Sequence, residues 1–388
     1  MKVTIKDIAE RAGVHRSTVD KVIHEREGVS EEVRSRIQKI IKEMDYKPNP
    51  AGRLLQKQGR IYNITAIMVE VDAFPYLQQG IIEGVTAQTG FDIHITWKTG
   101  KFSDPLLQAK YVEETIDEAP DAIIITPINS ESVYIALQKA IESNIMVVQM
   151  NSFLPSLKGS CFVSMDSKRA SMIAAHLMGE FLRGTGEVAI ISSAIASENN
   201  NSDVHIRETG FTEYINKLYP DIKIVECVES FEDLDITRKK TITLLEKYPN
   251  LKGIYITCGG TYVVGQVLKE SGRWNDIKTF SFEDYPEILK LIKDGVIDCS
   301  LSGNTIRQGS WPIELIMNYL VFDKKPESDS YYTETKILLM SYSSLPKAIL
   351  KHQAHEPSSF LLQKNYPNRL QLQHFYEHNV KAKVLRKF

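Results

Sequence analysis

Apolar and polar positions repeat with two different periods along this chain, and the change falls near residue 60. Before it, Ile5, Ile8 and Ala9 recur at helical spacing, and Val19, Val22 and Ile23 do so again. Val33, Ile37, Ile40, Ile41 and Met44 form a third stripe. Steps of three and four place side chains on one helix face, so three short helices are predicted over about residues 5–11, 16–24 and 31–46. Thr4 and Asp7 have the spacing of a capping box for the first helix. Gly13 supplies the turn to the second, and Ser30 caps the third, with Glu31 and Glu32 in its first turn to suit the helix dipole.

After residue 61 the pattern becomes short continuous apolar runs separated by amphipathic stretches. The runs are "NITAIMVEV", "DAIIITPI", "IMVVQMN", "EVAIISS", "IKIVECV", "GIYITC", "KTFSFED" and "VIDCSLS". Helical stretches between them include residues 78–89, 130–143, 169–183, 204–218, 237–247, 262–271 and 308–320. Continuous apolar strands alternating with helices predict parallel sheets covered on both faces. About eight such units exceed one typical sheet, so the expected body is two doubly wound subdomains. The expected division is 1–47 for the helical head, 48–60 for a linker, 61–342 for the α/β body and 343–388 for a tail. The linker "KPNPAGRLLQKQGR" is rich in proline, glycine and basic residues, and its "AGRLLQKQ" could form one or two helical turns only with a partner. The tail has no strand–helix rhythm.

Charge sharpens this division. The chain has 388 residues and a net charge of −2, but residues 1–60 carry +5, residues 345–388 carry +6, and the stretch between carries −13. A basic head on an acidic body suits a polyanionic partner. No apolar run approaches membrane-spanning length and no signal-type h-region follows Lys2, so a cytoplasmic protein without a membrane partner is expected. The four cysteines, at 161, 227, 258 and 299, are widely spaced, and neither a disulfide framework nor a metal site is expected. No cofactor is expected either. A nucleophile elbow, a Walker loop and a Rossmann glycine fingerprint are all missing, which argues against an enzyme.

Three helices with a glycine turn between the first two form a helix-turn-helix pattern, the alternative being a plain capping domain. The second helix would lie in a major groove. Arg16 could fork onto guanine, Ser17 and Thr18 could donate or accept, and Lys21 could reach a phosphate or guanine. Thr4 and His15 are counted with them as DNA-contacting candidates.

"TIKDIAERAGV", "STV", "GVSEEVR" and "YKPNPAGRLL" resemble, without a gap over about 55 residues, the N-terminal domain and hinge of the lactose repressor/galactose repressor (LacI/GalR) family. The alternating body resembles that family's effector domain more loosely, which is similar to periplasmic sugar-binding proteins. The resemblance implies a transcriptional regulator, of repressor type, that binds a near-palindromic operator as a homodimer. It also implies a hinge helix in the minor groove, where Leu55 would be the inserting wedge and Asn49 and Arg53 would flank it. A short tetramerising helix in some members would fall on 370–388; a loosely docked basic tail is the other reading. The chain departs from the family where His15 replaces the usual Ser and Asp20-Lys21 replaces Ser-Arg.

Ligands of open α/β sheets bind beyond the carboxyl ends of strands. The expected effector, a sugar or sugar derivative, would therefore meet Asp72, Phe74, Tyr76, Asn129, Asn151, Asp166, Glu283 and Asn304. His205 and Arg207 join them because "NNNSDVHIRETGF" is similar to the family segment whose arginine reaches the ligand. Asp166 is equally placed to cap a helix, and Tyr76 to be core. Asn151 and Glu283 stand where sugar binders of the family often hold Asp, Gly303 where they often hold Gln, and Cys258-Gly259-Gly260 where an Asn-Asp pair is expected. A cleft that has lost short hydrogen-bonding groups and gained space is the expectation. A transport or chemotaxis binding protein without a DNA role would share such a cleft; the head argues against it.

Overall fold

The computed structural model describes residues 3–23, 26–44, 46, 59–194 and 202–340. Most of the linker (with Asn49, Arg53 and Leu55) and the tail from 341 onward lie outside the described residues.

The head contains α1 (Ile5–Ala12), α2 (Arg16–Ile23) and α3 (Glu31–Glu43). Thr4 caps α1 in a full capping box with Asp7, and Gly13 closes it at φ 64°, a left-handed value that glycine adopts at little cost. Ile8, Ala9, Ala12, Val19, Val22, Ile37 and Ile40 bury one small shared core. The predicted stripes therefore point inward, and the remaining face of α2 is left to solvent.

The body is two sheets of six strands each. In chain order the first subdomain receives β1 (Ile61–Val69), α4 (Phe74–Ala87), β2 (Asp92–Gly100), α5 (Pro105–Glu118), β3 (Ala122–Ile125), α6 (Glu131–Glu142), β4 (Met146–Met150) and β5 (Cys161–Met165). The second receives α7 (Ser167–Phe181), β6 (Gly186–Ser192), α8 (Ser202–Leu218), β7 (Ile222–Glu229), α9 (Leu234–Lys247), β8 (Leu251–Ile256), α10 (Thr261–Glu270), β9 (Lys278–Phe282), α11 (Pro286–Lys293) and β10 (Cys299–Ser302). Then α12 (Thr305–Phe322) and β11 (Ser330–Thr333) return to the first subdomain, and β12 (Lys336–Leu339) to the second. The strand orders are β11-β5-β4-β3-β1-β2 and β12-β10-β9-β8-β6-β7. Every pairing is parallel except β10 with β12. The chain thus crosses between subdomains three times, at 165–167, 302–305 and 333–336. At the crossings the Thr333 hydroxyl donates to the Gly303 carbonyl.

β2, β5, β11 and β12 go beyond the apolar runs read from sequence. β2 and β12 are sheet edges, half-exposed along much of their length, and so carry no continuous apolar signal.

α12 returns by packing directly on α4. A Cβ at Gly80 would fall 2.1 Å from the Ile306 carbonyl oxygen, and one at Gly309 would fall 2.2 Å from that of Leu77. Only glycine permits these two backbones to touch, which fixes α12 against the helix that enters the cleft.

Candidate functional site

The outer face of the head comes first. His15, Arg16, Ser17 and Lys21 are exposed along α2, and Thr18 is half-buried. His15 sits just ahead of the helix, and its Nδ1 accepts from the Ser17 backbone N–H at 3.3 Å, so it serves as an N-cap in place of a short hydroxyl. The Ser17 hydroxyl lies 2.8 Å from the same nitrogen. Thr4 spends its hydroxyl on Asp7, to which it donates at 2.8 Å. Asp20 pairs with Arg26 at 3.5 Å, which keeps its charge local. Arg16 and Lys21 give α2 an exposed cationic edge.

The second site lies between the subdomains. The loops after β1, β2 and β4 face the N-terminal end of α8 and the loops after β7, β8 and β9. Together they enclose a partly open cavity of about 60 Å³, room for roughly four waters. Asp72, Asn151, Arg207 and Glu283, named from sequence, line it. So do Asp203, Glu232, Cys258, Phe282 and Tyr285, which the sequence reading did not select.

Arg207 is buried and thoroughly engaged. Its guanidinium carbon stacks 4.0 Å over the Phe282 ring, Nη1 donates to the Thr257 carbonyl at 3.2 Å, and Nη2 lies 3.7 Å from Glu283 Oε1. Glu283 also accepts from the Thr305 hydroxyl at 2.7 Å. Asp203 precedes Arg207 by one helical turn on the same inner face of α8 and accepts from the Ser164 hydroxyl. Burial pushes the carboxyls of Asp203 and Glu283 above the usual range, and the Arg207 charge opposes the rise in both.

Glu232 reaches the cavity through unusual backbone. Phe231 and Glu232 have φ of 53° and 56°, and Asn151 and Glu283 have φ of 61° and 76°. Left-handed backbone in non-glycine residues is strained and concentrates at binding sites. Glu232 Oε2 accepts from the Gly259 N–H at 3.1 Å, and burial followed by the nearby Asp72 charge raises its pKa.

Contacts at the mouth of the cleft also join the subdomains. Asp72 Oδ2, from the first, accepts from the Gly260 N–H at 2.8 Å, at the N-terminus of α10 in the second. A carboxylate is favoured there by the helix dipole. Tyr76 on α4 stacks on Tyr285 with ring centroids 4.0 Å apart and planes 1° apart. These contacts describe a closed cleft.

The other residues named from sequence are placed elsewhere. Asp166 accepts from the Arg169 N–H at 3.0 Å as the cap of α7, and Asn304 accepts from the Arg307 N–H at 3.1 Å as the cap of α12. His205 points outward from α8, 3.7 Å from Glu208. Phe74 packs on the first subdomain's core, and half-buried Asn129 lies outside the cavity lining. Tyr76 acts across the cleft rather than inside the cavity. The expected extra space also fails to appear. A Cβ at Gly303 would lie 2.5 Å from the Met165 Cβ, and one at Gly259 would lie 2.6 Å from Glu232 Oε2. Neighbouring side chains already occupy what the smaller residues released. Among the described residues, no three His, Cys, Asp or Glu side chains converge to hold a metal, and no helix is long and apolar enough to cross a membrane.

Comparisons with known proteins agree with both halves. Residues 4–49 match the bacterial regulatory proteins of the lacI family, and residues 87–325 match the periplasmic binding protein domain. The chain is 22% identical to the D-ribose/D-allose-binding protein of Pseudomonas aeruginosa over 62% of this chain and 75% of that one. It is 28% identical to the HTH-type transcriptional regulator DegA of Bacillus subtilis, over 46% of this chain and about half (52%) of that one. The fold matches an ABC-transporter solute-binding protein of Burkholderia graminis, solved in complex with D-arabinose, at TM-score 0.66 and 24% identity, covering 72% of this chain and 95% of that one.

Proposed function

Because this chain belongs to the periplasmic binding protein domain family over residues 87–325 and matches the lacI family over residues 4–49, we propose that it is a DNA-binding regulator in which closure of the cleft on a small sugar-like molecule sets the affinity for operator DNA. The cross-cleft pair of contacts, Asp72 with Gly260 and Tyr76 with Tyr285, carries the reading. They join two subdomains that three chain crossings hinge together, so a bound molecule that favours the closed form changes the geometry delivered to the linker. It can do so only by its difference in affinity between open and closed forms.

In this reading Asp72, Asn151, Arg207 and Glu283 contact the effector. Arg16, Ser17, Thr18 and Lys21 meet bases and phosphates, His15 orients the reading helix, and Asn49, Arg53 and Leu55 act at the linker. The operator-bound species is a homodimer, because a near-palindromic site needs two heads. The compartment is the cytoplasm, where operator DNA is found.

The test is footprinting of the full-length protein on its own upstream DNA across a salt series, with and without a panel of sugars. Salt-sensitive protection that one compound alters is the expected result. Tight binding of a sugar with unchanged operator affinity would refute the switch.

A further inference from the structure

Asn151 is held at the cavity wall by its backbone. It follows β4 at φ 61°, and its N–H donates to the Val163 carbonyl at 3.0 Å. What is left to settle is which way its side-chain amide turns, and that decides whether the wall offers a donor or an acceptor. Gln308 settles it. This residue is fully buried in the first turn of α12, next to Gly309, whose close approach to the Leu77 carbonyl fixes the helix in place. Gln308 Nε2 donates to the Gly303 carbonyl at 3.1 Å. A carbonyl only accepts, so turning this amide over would set oxygen against oxygen in a buried place. Gln308 Oε1 therefore faces Asn151, and it too only accepts. It takes a hydrogen bond from Asn151 Nδ2 at 3.3 Å. The sense of the whole chain is thus fixed by a backbone group that cannot flip. Gly303 is part of the arrangement, since a Cβ there would fall 2.8 Å from Gln308 Nε2 and push the amide off the carbonyl.

Resting on the effector reading above, we infer that Gln308, which is not among the residues lining the cavity, is the positioning residue that sets the hydrogen-bonding sense of Asn151. With Nδ2 committed inward, Asn151 turns its Oδ1 to the cavity, and the effector meets it with a hydroxyl donor. A group that only accepts is refused at that point, because two oxygens would face each other with no proton between them. Packing alone does not account for Gln308. A methionine or leucine fills the same space without the cost of burying an amide, and a buried amide is sustained where both of its ends are bonded, as they are here.

The first measurement needs no ligand. The full-length protein is labelled with 15N-asparagine, and the Asn151 side-chain amide is assigned by its loss in Asn151→Ala. Its protons should exchange with water about tenfold more slowly than those of exposed asparagines. Gln308→Met keeps the volume and removes both hydrogen bonds; it should restore most of that lost exchange rate and leave the other asparagine signals in place. Fast exchange in the wild type, or unchanged exchange in Gln308→Met, overturns the positioning role. The second measurement is calorimetry with D-ribose, D-glucose and D-galactose, each beside its singly deoxygenated and singly deoxyfluorinated analogues. At one position both analogues should bind about tenfold more weakly than the parent, the size of one net hydrogen bond, since fluorine cannot donate. In Asn151→Ala that difference should shrink to within about twofold. Fluorinated analogues that match their parent at every position overturn the reading of a donor and leave the effector reading standing. If no parent binds, the hydroxyl reading is overturned as stated; if the footprint is also unmoved by the full sugar panel, the effector reading falls with it, and the exchange measurement alone judges Gln308.

Discussion

Tyr76→Ala removes one of the contacts that close the cleft and leaves the Asp72–Gly260 bond in place. The Tyr76 and Tyr285 rings lie parallel with centroids 4.0 Å apart. Such a pair contributes about 0.5–1.5 kcal/mol beyond the area it buries. Tyr76 is half-buried, and the tens of Å² of apolar surface it hides on closing add roughly another 0.5 kcal/mol at ~25 cal/mol per Å². The closed form should therefore lose about 1–2 kcal/mol, a factor of roughly 5–30 in the closed-to-open ratio. The Asp72–Gly260 bond persists, so closure is weakened rather than abolished. Single-molecule energy transfer between dyes on exposed positions of the two subdomains reads that ratio directly, and small-angle scattering reads the accompanying expansion. A ratio within twofold of wild type would refute the idea that this stack holds the cleft shut. Any change in operator affinity should not exceed the measured shift in the ratio, since coupling cannot be larger than the difference that drives it.

Four further outcomes are expected. Asp203, Glu232 and Glu283 all have carboxyls raised by burial; the folded body therefore binds more protons than the unfolded chain above their ordinary values of 3.8 and 4.5, and its stability should fall as pH rises from about 4.5 upward. Urea midpoints of the ligand-free body at pH 5, 6, 7 and 8 check this, and a flat or rising series would contradict it. Arg207→Met leaves Glu283 buried without its cation and should cost about 3–5 kcal/mol in urea unfolding, whereas adding Glu283→Gln should recover part of that loss. Gly80→Ala drives a methyl group against the α12 backbone and should cost about 1–3 kcal/mol, read as a lowered midpoint; a neutral result would mean the helices part freely. His15→Ala should destabilise the head by about 0.5–2 kcal/mol and weaken the footprint, and His15→Ser should restore the head's stability, since a hydroxyl caps as well.

What the sequence disclosed follows from how locally each feature is determined. The three head helices were readable because each has its own apolar stripe and its own caps. The central strands were readable because both faces are buried, so Ala122–Ile125 and Gly186–Ser192 are apolar nearly throughout. β2, with "DIHITWKTG", is an edge strand with half-exposed side chains, and its alternation resembles any amphipathic segment. In the cleft, Asp72, Asn151 and Glu283 were accessible because they directly follow strands. Asp166 and Asn304 occupy equivalent places, but the helix beginning beside each of them takes the side chain as a cap. His205 failed for a reason of phase. Asp203 and Arg207 are four apart and share the inner face of α8, while His205, two residues from each, points away; helical spacing alone would have replaced it with Asp203. Glu232 had no sequence signal, because its reach depends on two consecutive left-handed residues that only the folded loop imposes.

The three crossings also have a meaning for synthesis. α4 is made early, but the helix that covers its Gly80 face begins only at Thr305, after almost all of the second subdomain. At about 5–20 residues per second, the stretch from β5 to α12 takes the ribosome roughly 7–28 s to deliver. Throughout that interval Leu77 and Ile81, buried in the finished protein, have lost neither their hydrophobicity nor gained their partner. The first subdomain is therefore completed only after β10 of the second has been made, and a nascent chain stalled within the second presents an uncovered apolar groove of the kind that chaperones hold.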